Sequence, residues 1–308
     1  MVRFGGASLL SASMKIGLCF PYWSHTAPTR EFFLQWCRAV DTGPFSSISC
    51  GERIGGPSVE MTATLAAAAV VTERVRIVPT LYIAPMHQAV WMAKHAATLD
   101  VLSGGRVSVT LGVGGGGKDY TAMEVESGPL QARMEAQVGV MRRVWAGEPP
   151  YPGTIPVAPE PLQRGGLPIF AGVMRPKAIA RAAHWADGVF SWSGNGERDQ
   201  IAAQLEQVRA AWEAAGRDAA PRCIAGFWFS LLGDGGAGLR SHVAEYVGMH
   251  DAVVGEKMAA TMTRSTQEAI CKALDDYEEL GVEECLLNLT TRDPGEVDRI
   301  AELVTRRG

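Results

Sequence analysis

The chain contains 308 residues, of which 47% are apolar and 20% are charged, and its formal net charge is −4. This balance is typical of a folded globular protein and excludes a disordered or fibrous chain. An acidic chain without a basic stripe also lacks the charge that binds nucleic acid, so no nucleic-acid partner is expected.

Strand-like and helix-like segments alternate along the chain, after a leader at 1–13 that is either an upstream start or a disordered tail. One domain is predicted at 14–308. Strands are predicted at 15–22, 45–50, 75–83, 106–113, 167–173, 188–192, 222–232 and 281–290. Helices are predicted at about 29–40, 59–72, 88–102, 130–145, 176–185, 201–215 and 294–305. This alternation favours a closed (β/α)8 TIM barrel over an open sheet.

Two segments depart from the alternation. The proline-rich stretch at 147–161 cannot form a regular crossover helix, so it is predicted to be a surface excursion. The segment at 238–263 is longer than one helix requires. We therefore predict an insertion before the last strand of the barrel.

The six cysteines share no Cys-x-x-Cys pair and no repeated spacing, which argues against a zinc knuckle or a disulfide scaffold. Buried thiols in a reducing cytoplasm are expected instead. No cluster of His, Asp or Glu has the spacing of metal ligands, so no metal site is predicted. No apolar run reaches the roughly 18 residues of a membrane span, and no membrane partner is expected.

A glycine-rich run follows the fourth predicted strand. Gly104 and Gly105 end the preceding helix, 106–113 is apolar and β-branched, and four glycines at 114–117 come directly after it. Glycine lets backbone approach a ligand closely. We therefore predict that this strand opens onto a ligand, although a plain turn would have the same composition.

The run AKHAATLDVLSGGR at 93–106, followed by LGVG at 111–114, resembles the signature of the bacterial-luciferase-like oxidoreductases. The segments at 167–172 and 186–190 are similar to a second block of the same family. The resemblance extends over about 14–308. It implies a luciferase-like (β/α)8 barrel and a reduced isoalloxazine-type cofactor, either coenzyme F420, a deazaflavin, or FMN.

The resemblance also implies which residues bind the cofactor. Thr80 and Leu81 match the place where relatives have a non-proline cis peptide bond against the cofactor ring. The segment 172–175 matches the place that holds the cofactor phosphate, with Pro176 starting a helix directed at the same anion. The predicted cofactor residues are Thr80, Leu81, Gly112, Gly114, Gly172, Val173, Met174, Arg175, Ser191 and Ser193.

Three residues near strand ends are candidates for catalysis. Relatives commonly have an acid followed by histidine after the second strand, whereas this chain has Glu52 followed by Arg53. Glu52 is the first candidate for proton delivery, with Arg53 or His87 stabilising developing negative charge. The structural alternatives are that Glu52 is an exposed charge at the strand end or a partner of Arg53, and that His87 starts a helix.

Aromatic residues and a histidine near the strand ends are candidates for substrate binding. Active sites of such barrels lie at the C-terminal ends of the strands, where an aromatic ring either lines a pocket or plugs the barrel. The predicted substrate residues are Trp23, His25, Tyr82, Trp192 and Trp228.

The predicted activity is hydride transfer between reduced F420, which we favour, or FMN and a small organic substrate. A first alternative is a monooxygenase that uses reduced FMN and O2, and a second is a barrel that binds a cofactor without catalysis. A cytoplasmic homodimer is expected from relatives. A separate reductase that supplies reduced cofactor is a further expected partner.

Overall fold

A computed structural model describes residues 13–22, 28–56, 58–115, 117–126 and 128–307. Of the predicted leader, only Ser13 is within this part. Two predicted substrate residues, Trp23 and His25, lie outside the described residues.

In the described part of the chain, nine parallel strands form one sheet in the order β3-β2-β1-β9-β8-β7-β6-β5-β4. The strands are β1 Lys15–Cys19, β2 Ser47–Cys50, β3 Arg76–Pro79, β4 Tyr82–Ile83, β5 Val109–Gly112, β6 Ile169–Gly172, β7 Gly188–Trp192, β8 Arg222–Phe229 and β9 Glu284–Leu289. The two sheet edges meet at Ile77, whose N–H donates to Arg106 O (2.9 Å) and whose carbonyl accepts from Ser108 N (3.2 Å). The predicted closed (β/α)8 barrel is thus confirmed.

The third predicted strand, 75–83, is in fact two short strands. The peptide bond between Thr80 and Leu81 is cis, at the position that the family resemblance implies. On one side of this bond β3 pairs with β2, and on the other side β4 pairs with β5. One stretch of sequence at 75–83 therefore supplies both strands, and the barrel still has eight strand positions.

Eleven α-helices surround the described strands. They are α1 Arg30–Thr42, α2 Met61–Val71, α3 Ala89–Ser103, α4 Gly117–Ala122, α5 Leu130–Trp145, α6 Pro176–Ala182, α7 Arg198–Ala214, α8 Ala237–Gly248, α9 Ala252–Ala260, α10 Gln267–Glu279 and α11 Gly295–Arg307. None of those described combines the length and the apolar character needed to cross a membrane. Short α4 was not predicted, because its glycine-rich start is typical of a loop.

The residues that carry the family resemblance hold the N-terminal side of the barrel together. Asp100 is fully buried, and its carboxylate accepts from Leu162 N (2.8 Å) and Gln163 Nε2 (2.7 Å), directly after the proline-rich stretch. Arg106 donates from its guanidinium to Ala69 O (2.9 Å) and Thr72 O (2.7 Å) at the end of α2. These contacts of the motif therefore stabilise the fold.

The barrel interior is packed in its middle layer, as is usual for this architecture. Val78, Phe170, Ile224 and Leu286 form this inner cluster, with Phe190 against them. Below it, the buried Glu284 carboxylate accepts from Ser47 Oγ (2.7 Å) and also contacts Arg76. A ligand can therefore approach the interior only from the C-terminal ends of the strands.

The predicted insertion consists of α8 and α9, which cover part of the C-terminal face. Leu239 and Val243 of α8 and Ala259 of α9 form a small buried cluster with Trp228 at the end of β8. Asp251 caps α9 through Val254 N (3.1 Å). The insertion is thus anchored to a barrel strand by apolar packing.

All six cysteines are free thiols, and five of them are buried; Cys271 is half-buried. Burial raises the pKa of Cys19 to about 11 and of Cys37 to about 12, so these groups are thiols at neutral pH. Within the described ranges, no group of three or more His, Cys, Asp or Glu residues is placed to hold a metal ion.

Candidate active site at the barrel mouth

Glu52 and His87, two of the predicted catalytic residues, are in direct contact. Glu52 follows β2, and its Oε2 accepts from Ile83 N (2.5 Å) while its Oε1 accepts from His87 Nε2 (2.7 Å). The Glu52 side chain is 5% exposed and that of His87 is 21% exposed. The contact fixes Nε2 as the donor nitrogen of His87 and leaves Nδ1 available for proton exchange.

The backbone that carries His87 is fixed from the other side by α5. Gln137 is buried, and its Nε2 donates to Ala84 O (3.0 Å) and to His87 O (2.7 Å). Arg133 Nη1 donates to Pro85 O (3.3 Å). The sequence analysis did not identify Gln137 or Arg133. A glutamine on the buried face of α5 could have indicated a side-chain hydrogen bond to a neighbouring loop.

Arg53 points away from Glu52, toward the insertion. Its Nη2 donates to His250 Nε2 (2.7 Å), and its guanidinium carbon lies 4.5 Å from the centroid of the Tyr246 ring. Because a guanidinium has no acceptor, His250 must be neutral in this contact. Burial and the nearby Arg53 both lower the pKa of His250, which agrees with this geometry.

A cavity of about 820 Å³, here called the mouth cavity, lies between the strand ends and the insertion. Its described lining residues are Val113, Gly114, Gly115, Gly117, Lys118, Tyr120, Thr121, Val125, Leu130 and His250. Of the predicted cofactor residues, Gly114 borders this cavity. Glu52 and His87 do not line it, but Ile83, which Glu52 holds, packs against Tyr120 in its wall.

The predicted cofactor residues Leu81, Gly112 and Gly172 form one packing unit. A Cβ added at Gly112 would lie 2.7 Å from Leu81 Cδ2, and a Cβ added at Gly172 would also overlap that methyl group. Leu81 itself packs with Ile83 and Tyr120. The two glycines therefore leave room for Leu81, which the sequence did not indicate.

The predicted phosphate segment lies at the start of α6. Val173 is buried, whereas Met174 and Arg175 are exposed. Arg175 is the residue before the first turn of α6 and makes no side-chain cap there, and α6 has only seven residues. The side chains of Met174 and Arg175 are therefore accessible to a ligand. Contact of these residues with a cofactor stays a prediction.

Ser191 and Ser193 are both buried and do not line the mouth cavity. Ser193 Oγ accepts from Glu197 N (2.8 Å) just before α7. Ser191 Oγ is buried and has no hydrogen-bond partner among the described residues. The Ser193 side chain is thus engaged locally, and the predicted cofactor contacts of both serines stay predictions.

Of the predicted substrate aromatics, Trp192 and Trp228 lie under the insertion, and their ring centroids are 4.9 Å apart at 81°. Trp228 also packs edge-on against Tyr246 of α8 (5.7 Å). Tyr82 is 1% exposed in the core cluster between strands and helices, edge-on to His87 at 6.0 Å. Its ring therefore packs in the core beside the catalytic candidates.

Further aromatic side chains, two from the insertion and one from the segment after β1, pack together near the barrel mouth. His242 and Tyr246 of α8 stack at 5.9 Å with 9° between their planes, and Tyr22 packs edge-on against Tyr246 at 5.1 Å. Burial, with Arg292 nearby, lowers the pKa of His242 to about 4. Sequence reasoning assigned no role to these residues because they belong to no recognisable motif.

A family model described as luciferase-like monooxygenase matches residues 14–247. A Mycobacterium tuberculosis protein described only as uncharacterized is 30% identical over 170 residues, which are 53% of this chain and 59% of that protein. A second M. tuberculosis protein, named provisionally as a coenzyme F420-dependent oxidoreductase, is 28% identical over 205 residues, 58% of this chain and 55% of that protein. The chain thus matches less than two thirds of each of these relatives.

Solved structures share the fold over nearly the whole chain. The monooxygenase RslO1 from Streptomyces bottropensis has a TM-score of 0.78 at 22% identity and covers 96% of this chain and 98% of its own. An F420-dependent secondary alcohol dehydrogenase in complex with an F420-acetone adduct has a TM-score of 0.79 at 18% identity, with 96% and 100% covered. At these identities the similarity establishes the barrel fold alone.

Proposed function

Because the chain belongs to the luciferase-like monooxygenase family, we propose that it is an oxidoreductase with a reduced flavin-type cofactor. The proposed reaction transfers a hydride between the cofactor and a small organic substrate. We favour coenzyme F420 over FMN, because one curated relative carries F420 in its name.

The observation that carries this proposal is the contact between Glu52 and His87 at the mouth of the barrel. A hydride that reaches a carbonyl carbon leaves an oxyanion that needs a proton, and a protonated imidazole can donate one. In this role Glu52 orients the ring through Nε2, and His87 Nδ1 holds the proton that moves. Gln137 keeps the His87 backbone in place.

The mouth cavity is large enough to hold the ring of a flavin-type cofactor. Its volume of about 820 Å³ lies within the range of small-molecule and cofactor sites, roughly 300–1,000 Å³. Gly114, Gly115 and Gly117 contribute no side chain, so a planar group can approach the backbone closely. When bound, the reduced cofactor supplies the hydride, and the chain orients the two reactants and excludes water.

The predicted cofactor residues divide into two groups under this proposal. Thr80, Leu81, Gly112 and Gly114 would contact the ring, and Leu81 would present its methyl groups to the ring from the floor of the mouth. The segment 172–175 would hold the phosphate, with the exposed Arg175 as its charged group.

The test is a fluorescence titration of the purified protein with reduced F420 and, separately, with reduced FMN under anaerobic conditions. We expect saturable binding of F420 and weaker binding of FMN. Admission of air should cause no O2 uptake beyond that of free cofactor. Binding of FMN alone with O2 consumption would favour the monooxygenase, and failure of both cofactors to bind would contradict the proposal.

A further inference from the structure

The described lining of the mouth cavity is apolar along one wall and carries nitrogen donors at its rim. Val113, Val125 and Leu130 supply aliphatic surface, and the rim donors are Lys118 of α4 and His250, which follows α8. No described lining residue has a carboxylate. A pocket of this kind binds the apolar part of a ligand by contact area, and a few polar groups fix the orientation of the ligand.

The hydroxyl donors of the lining are already engaged within the protein. Tyr120 Oη donates to Val113 O (2.8 Å), and Thr121 Oγ1 donates to Gly117 O (3.1 Å). Neither hydroxyl proton is therefore directed toward a ligand. The side-chain N–H donors left to a ligand in the described lining are those of Lys118 and His250.

Lys118 and His250 both keep N–H groups for a ligand. One N–H of Lys118 Nζ donates to Met249 O (2.9 Å), which leaves two of its three donors. Because Nε2 of His250 accepts from Arg53, the ring proton of the neutral imidazole must be on Nδ1, which is a donor. The two residues therefore present donors, together with the positive charge of Lys118, at one rim of the cavity.

The acids next to the two donors along the chain do not cancel that charge by contact. Asp119 follows Lys118, but its side chain is buried and its Oδ1 accepts from Gly55 N (2.8 Å) in the loop after β2. Asp251 follows His250, and its Oδ1 accepts from Val254 N (3.1 Å) at the start of α9. Lys118 has no ion pair among the described residues. An anionic group on a ligand is the partner that these donors lack.

We propose that the Lys118 side of the mouth cavity, beside the space left for the cofactor ring at Gly114, is the substrate part of the site and takes an organic acid, whose apolar body lies against Val125 and Leu130 and whose carboxylate lies between Lys118 and His250. This assignment rests on the proposed oxidoreductase function, since it names the substrate class of that site. Lys118 is here a specificity residue and has no role in the hydride step.

The test is calorimetric titration of the full chain with 2-naphthoate and with 2-naphthylmethanol, which has the same aromatic body without charge. We expect naphthoate to bind at least tenfold more tightly than the alcohol. Lys118→Met should remove this preference and leave the alcohol unaffected. Gly115→Val should weaken both ligands, since open space surrounds a Cβ at that position. Lys257→Met, an exposed lysine of α9, is the matched control and should behave as wild type.

Equal binding of the two probes, or an unchanged preference in Lys118→Met, would overturn the proposal. The proposal would also fail if FMN or inorganic phosphate displaced naphthoate, and if Lys118→Met weakened the binding of that competitor as much as the binding of naphthoate. In that case Lys118 would hold the cofactor phosphate. The cofactor titration on the same preparation separates the two hypotheses. Cofactor binding without naphthoate binding refutes the substrate class alone, whereas naphthoate binding without cofactor binding refutes the oxidoreductase.

Discussion

Leu81 fills the space that a side chain at Gly172 would occupy, so that one residue of the β3–β4 junction is fitted against the end of β6. The same leucine packs against Gly112 at the end of β5, where an added Cβ would lie 2.7 Å from Leu81 Cδ2. Three strand ends are thus packed by one side chain. The shape of the mouth therefore depends on the size of residues 112 and 172.

Gly172→Ala should lower the free energy of unfolding by about 1–3 kcal/mol, because the new methyl group forces Leu81 to move. Combining it with Leu81→Ala should remove most of that penalty, so the double variant should lose less than the sum of the single losses. Urea unfolding of the four proteins measures this coupling. Gly139→Ala, on the exposed face of α5 with open space around its Cβ, should instead be slightly stabilising.

Much of the barrel could be predicted because buried strands and amphipathic helices have distinct periodicities. The observed bounds of α5, Leu130–Trp145, and of β7, Gly188–Trp192, match those predicted from the sequence. The prediction of the third strand was wrong in one respect, because it gave one strand where the structure has two. The segment 75–83 is mostly apolar, and Pro79 within it cannot donate a ladder hydrogen bond. Residue type does not show, however, that the strand changes its pairing partner between Pro79 and Tyr82.

The site was less predictable than the fold, because its contacts join residues that are far apart in sequence. Glu52 and His87 are 35 residues apart, and Arg53 and His250 are 197 apart. Placing candidates at strand ends does not show which way each side chain points. Glu52 and Arg53 are adjacent in sequence, yet one holds the β4 segment and the other contacts the insertion.

Glu52→Gln should lower turnover by about a hundredfold and leave the affinity for reduced cofactor unchanged. The amide can still accept from Ile83 N, but it does not supply the negative charge that orients the His87 ring. Stopped-flow oxidation of bound reduced cofactor measures the step directly. Glu206→Gln, an exposed acid of α7, is the control. Unchanged turnover in Glu52→Gln would remove this residue from the mechanism.

Asp100→Asn should destabilise the protein by at least about 2 kcal/mol, because an amide nitrogen would replace an acceptor that is surrounded by donors. The carboxylate accepts from Val107 N (3.3 Å), Leu162 N (2.8 Å) and both nitrogens of Gln163 (3.2 and 2.7 Å). Thermal unfolding checks the loss, and Asp218→Asn at an exposed position should change stability by less than about 0.5 kcal/mol. Cofactor affinity of folded Asp100→Asn should equal that of wild type, and a selective loss of binding would contradict a purely structural role.

Stability should fall in mildly acidic solution because His242 is neutral in the native mouth. Its pKa is lowered from 6.5 to about 4 in the folded protein, chiefly by burial. Above pH 6.5 neither state binds the proton, so the group has no effect there. Between pH 6.5 and about 4 the unfolded state takes up a proton that the folded state does not, and stability declines as pH falls, by up to about 3 kcal/mol in total.

His242→Gln should remove that part of the pH dependence, because glutamine does not titrate. The quantity to compare is the difference in unfolding free energy between wild type and His242→Gln at several pH values from 7.5 to about 4. The carboxylates common to both proteins cancel in this difference. Any packing loss against Tyr246, on which His242 stacks, adds a constant offset at all pH values. A difference that stays constant over the whole range would show that His242 is not held neutral by its surroundings.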